Sequence, residues 1–61
     1  MKGIKCYIIV NNWIGYCFTP KNFDSIRQAE TYGREFIGGT YWRIFDADTK
    51  NFIKSGYCKS F

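Results

Sequence analysis

Histidine is missing from this 61-residue chain, and with it goes the side chain on which most catalysis near neutral pH depends. Ser-His and Cys-His nucleophiles and imidazole acid-base mechanisms are thereby excluded. Acidic residues are scarce as well, five against nine Lys and Arg. Asp46 and Asp48 are close enough in sequence to suggest paired carboxylates, but they fall in a stretch of turn composition, where solubility and turn chemistry are their expected roles. The three cysteines, Cys6, Cys17 and Cys58, form no Cys-x-x-Cys pair, and with no histidine they fall short of a four-ligand structural zinc site. Their odd number is unlike the even count of a secreted disulfide framework, so they are expected as small buried hydrophobes. The chain is expected to use no metal and no cofactor, and not to be an enzyme.

Long apolar runs are absent too, and nothing approaches the roughly 20 residues of a membrane span. Lys2 and Lys5 ahead of Cys6 to Val10 resemble the opening of a secretory signal, but the apolar run is too short and no small-residue cleavage site follows. The expectation is a cytoplasmic protein with no membrane partner. Proline occurs once, and with 46% apolar and 21% aromatic residues the composition is that of a folding chain. The length allows one small domain, residues 1–61, burying only about 60% of the surface its unfolded chain exposes, so stability is expected to be marginal.

What the chain has in abundance is rings: two Trp, five Tyr and six Phe. Lys2 to Val10 and Trp13 to Thr19 read as two strands around Asn11-Asn12, a residue type that tolerates tight turns. Pro20, Lys21 and Asn22 are expected to break the strand. Ser25 with Gln28 three residues on has the form of a capping box, with Asp24 as the competing cap. From there Ile26, Ala29, Tyr32, Gly33, Phe36 and Ile37 fall on one helical face, and Arg27, Gln28, Glu30, Thr31, Arg34 and Glu35 on the other. This predicts a helix from about Asp24 to Ile37, closed by Gly38-Gly39 through a left-handed cap. Thr40 to Asp46 and Phe52 to Cys58 complete the pattern as two strands around a polar turn.

The predicted fold is therefore α+β, ββαββ: a four-stranded antiparallel sheet in the order 2-1-3-4 with one helix packed on one face. Alternation assigns Ile4, Cys6, Ile8 and Val10 of the first strand, and Trp42 and Ile44 of the third, to the helix side. For the second strand, a three-residue loop would turn Ile14, Tyr16 and Phe18 inward, which makes the better core and is the expected register. The other register would set Cys17 opposite Cys6, where oxidising conditions could link the two. The face left uncovered then collects Lys5, Tyr7, Tyr41, Arg43, Phe45, Phe52 and Lys54.

A helix of three to four turns cannot shelter thirteen rings, and a contiguous aromatic and basic patch of this kind marks a partner surface. Tyr, Phe and Arg are typical of protein interface hot spots, which makes a protein the first expectation, including a second copy of the chain. Nucleic acid is the second: the net charge of +4 and interleaved rings would suit base stacking, although the basic residues are scattered. By analogy, chains this short are frequent among accessory genes of phages and other mobile elements, where they bind host machines as inhibitors or adaptors.

Overall fold

A computed structural model describes residues 5–59. Its elements are β1 (Cys6–Asn11), β2 (Lys21–Phe23), α1 (Ile26–Glu35), β3 (Tyr41–Asp46) and β4 (Phe52–Tyr57). The four strands form one antiparallel sheet in the order β2-β1-β3-β4, as the sequence predicts, with α1 against one face. The predicted inward position of Ile4 lies outside the described residues.

The central strands follow clean alternation. Cys6, Ile8 and Val10 from β1 and Trp42 and Ile44 from β3 are buried with Ala29 of the helix and Cys58, and Phe18, Phe23, Ile26, Tyr32, Phe36 and Ile53 pack around them. Trp42 is the plate at the centre. A Cβ on Gly33 would come within 2.6 Å of its ring, and one on Gly56 within 2.5 Å, so helix and edge strand close on the indole from both sides through residues with no side chain. Its Nε1–H is buried without an acceptor.

Both edge strands depart from alternation, each by one extra residue. Asn11 bridges to Cys17 while Ile8 pairs with Lys21, so four residues on the second strand answer three on β1. Pro20, which can donate nothing to the ladder, sits inside that interruption. The expectation that the second strand runs from Trp13 to Thr19 and stops at Pro20 is thus corrected: the paired segment is Lys21–Phe23. The slip has a packing reason. Phe18 and Phe23 are an odd number of positions apart, and the added residue turns both toward the helix, where Phe18 meets Phe36 and Phe23 meets Tyr32.

The first connection is wider than an Asn-Asn hairpin. Asn11 remains in β1, and Asn12 organises a loop by accepting from the N–H groups of Ile14 and Tyr16 on its side-chain oxygen. Gly15, at φ +93°, supplies the left-handed residue that closes it. Ile14 and Tyr16 are consequently exposed and not in the core as expected, and Trp13 stands 83% exposed at the tip. Cys6 and Cys17 lie on opposite faces, and all three cysteines are free.

Ser25 caps the helix, its hydroxyl accepting from Gln28 N–H at 3.4 Å. The C-terminus differs from expectation. Phe36 turns extended at ψ 127° and donates its N–H to Gly33, so the helix stops before Ile37, which is 85% exposed. Gly38 takes its positive φ in the following turn and not as the helix cap. Among the described residues no helix is long and apolar enough to cross a membrane.

Candidate binding face

The face away from the helix is built from alternate residues of the two central strands. β1 supplies Tyr7, Ile9 and Asn11, and β3 supplies Tyr41, Arg43 and Phe45, with Tyr7 opposite Phe45, Ile9 opposite Arg43 and Asn11 opposite Tyr41. Lys5, exposed, continues the β1 row. Six of the seven residues expected on this face, Lys5, Tyr7, Tyr41, Arg43, Phe45 and Phe52, are brought together there.

Lys54 is not. Ile44 pairs with Lys54 and Phe45 with Phe52, so β4 bulges at Ile53 and the face assignments shift by one beyond that point. Lys54 joins the helix side, where its ammonium contacts Glu30 at 3.1 Å. Ile53 packs on the core, and Ser55 and Tyr57, opposite Arg43 and Tyr41, take places on the open face. Strict alternation excludes those two residues, and only the bulge brings them in.

Arg43 is the centre of the arrangement. Its guanidinium lies 5.9 Å from the Tyr41 ring centre and 5.7 Å from that of Phe45, and one terminal nitrogen donates to Asn11 Oδ1 at 3.2 Å. Asn11, though polar, is only 4% exposed, and its amide contacts the Cys17 sulfur at 2.8 Å. The Arg43 Nε–H is covered and has no acceptor. Tyr41, Arg43, Phe52, Ser55, Gly56 and Tyr57 border a shallow groove of about 300 Å³.

The rings beside this groove are engaged with one another. Tyr7 and Phe45 stack nearly parallel, centres 5.3 Å apart and planes at 16°, and Phe52 meets Phe45 edge-on at 6.0 Å. Lys50 adds a cation that the sequence reading did not place here. It adopts φ 66° in the turn between β3 and β4, and its ammonium reaches 5.4 Å from the Tyr7 ring centre. Asp46 holds that turn by accepting from the N–H groups of Asp48 and Thr49 at 2.8 and 3.0 Å, which keeps its carboxyl below the usual range. This is the turn role expected for Asp46.

Charge divides between the faces. Glu30 contacts Arg34 and Lys54, and Glu35 contacts Lys59, all on the helix side. Arg43 pairs with no carboxylate among the described residues. The same residues contain no group of three or more His, Cys, Asp or Glu placed to hold a metal ion. Burial, with the charges of Asp46 and then Asp24 adding to it, pushes the Cys6 thiol up, and burial does the same to Cys58. Compared with protein-family models, curated proteins and solved structures, the chain has no match in any of the three.

Proposed function

We propose that this protein works stoichiometrically, without catalysis, by docking another protein on the open sheet face. The observation that carries this reading is the groove itself. Tyr41, Phe52 and Tyr57 surround a guanidinium on a face that the helix leaves bare, and Tyr, Phe and Arg clustered about a recess are the composition of interface hot spots. An inhibitor or adaptor acting on a larger machine in the cytoplasm is the role such a surface suits.

The ring geometry favours protein over nucleic acid. Base stacking needs free ring faces, and Tyr7 and Phe45 turn theirs toward each other. The cations also do not line a track: Lys5 and Lys50 gather at one end in a recess they share with Asp24, and Arg43 stands apart. The test is affinity recovery from cell lysate, with and without nuclease, using the parent chain and Arg43→Ala. The reading expects a protein retained after nuclease and lost with Arg43→Ala. Recovery that nuclease abolishes would assign the face to nucleic acid.

A further inference from the structure

Resting on the docking role just proposed, the charge distribution specifies the partner. We propose that the open face takes an acidic peptide segment in which a carboxylate alternates with apolar or aromatic side chains, the carboxylate on Arg43 and a neighbouring side chain in the groove.

Three observations converge on this chemistry. First, the helix side neutralises its own carboxylates, Glu30 and Glu35, whereas the open-face strand positions from Lys5 through Tyr57 carry no Asp or Glu. On the open side Lys5 and Lys50 stand beside Asp24, whereas Arg43 at the centre meets no carboxylate among the described residues and is the charge left to be complemented. An acidic segment complements that field, and a basic one is repelled by it.

Second, Arg43 is held before any partner arrives. Two rings flank it and Asn11, itself anchored on Cys17, fixes one terminal nitrogen. The guanidinium fork matches a carboxylate in two-point geometry, and a fork already immobilised loses little further freedom on binding. Ser55 stands directly across from Arg43 on β4 and sets a hydroxyl donor beside the same spot.

Third, the groove beside Arg43 is lined by rings. Tyr41, Phe52 and Tyr57 border it with Arg43, so an apolar or aromatic side chain beside the carboxylate finds ring surface to pack on. A recess of about 300 Å³ has room for one or two side chains, the scale of a peptide anchor.

Chemical-shift mapping on the ¹⁵N-labelled full chain tests this. The probes are a blocked Glu-Phe-Asp-Phe-Glu peptide, its Gln-Phe-Asn-Phe-Gln and Lys-Phe-Lys-Phe-Lys counterparts, and an oligothymidylate of about eight nucleotides. The acidic peptide is expected to give saturable shifts at Tyr41, Arg43, Ser55 and Tyr57, with affinity about tenfold above the neutral peptide. Arg43→Gln should remove that advantage, Arg43→Lys should keep part of it, and Lys54→Gln on the helix side should leave it within about twofold. Equal binding of neutral or basic peptide on the same residues overturns the acidic preference while leaving protein docking in place. Binding by the oligothymidylate alone overturns both readings. No saturable shift with the acidic peptide at about 5 mM also overturns the inference.

Discussion

The two faces of this sheet are made by the same strands and solve opposite problems. On the helix side the fully buried centre is aliphatic or small, with Ile8, Val10, Ile44, Ala29 and two cysteines around one tryptophan and four further rings packed about them, and both glutamates at the rim are met by cations. On the open side rings surround a guanidinium and are partly wet, and that central charge meets no carboxylate among the described residues. The covered face is organised to exclude water and the open face to hold a charge still. Adjacent residues on one strand serve both ends, since Ile44 is fully buried while Arg43 and Phe45 flank it on the other side. The comparison predicts that substitutions on one face change folding, and on the other change binding.

The largest effect should come from the covered face. Ile44→Ala removes a fully buried side chain from the centre of the sheet and should cost about 2–5 kcal/mol of stability. In a domain of this size a loss of that order reads as outright unfolding by denaturant titration and circular dichroism. Tyr41→Ala and Arg43→Ala should invert the pattern: each should weaken partner binding by about 1–4 kcal/mol while the melting temperature moves little. Calorimetric titration beside thermal denaturation separates the two, and an Arg43→Ala chain that binds like the parent would break the assignment of the open face.

Gly33→Ala and Gly56→Ala sharpen the comparison from within the core. Each adds a methyl where the Trp42 ring lies within 2.6 Å and 2.5 Å respectively, and each should destabilise by about 1–3 kcal/mol through overpacking. Gly33 lies on the helix, away from the groove that Gly56 borders, so Gly33→Ala should leave the groove residues in place; residual binding by the folded fraction is the measurement.

Thiol chemistry gives a smaller, purely surface contrast. Cys17 is exposed on the open side, whereas Cys6 and Cys58 are buried with thiols pushed up. One equivalent of a disulfide reagent should react promptly with folded protein, and the other two only on unfolding. The smallest effect concerns Asp46. Its carboxyl titrates lower in the folded chain than in the unfolded one, so its stabilisation is present above the ordinary Asp range and is lost as pH falls through the folded value. Asp46→Ala should therefore differ from the parent in melting temperature at neutral pH and converge with it in acid.

The readability of the sequence followed the same division between centre and edge. Strand order, the helix and its Ser25 cap, and the facing of Ile8, Val10, Trp42 and Ile44 were legible because the central strands and the helix keep a strict period. The edges were not legible, because an extra residue erases period-two information beyond it. Lys54 therefore appeared to belong with Arg43, and Ser55 and Tyr57 appeared not to. Pro20 looked like the end of a strand when it marks the place where the strand is interrupted and resumes. Lys50 was hidden for a different reason: its reach to Tyr7 depends on a left-handed backbone that its residue type does not advertise.

The surplus residue in β4 also bears on how the gene could change length. Opposite β3 the strand carries one amino acid more than regular pairing requires, Ile53 standing between the partners of Ile44 and Phe45. Losing the codon for Ile53 would straighten the strand and leave Phe52, Ser55 and Tyr57 open and Lys54 and Gly56 covered, the present distribution. Gaining a codon there has no such slack, since a second extra residue would need a wider bulge or would exchange the contents of the two surfaces. Shortening by one should be inherited silently with respect to the partner, and lengthening by one should not.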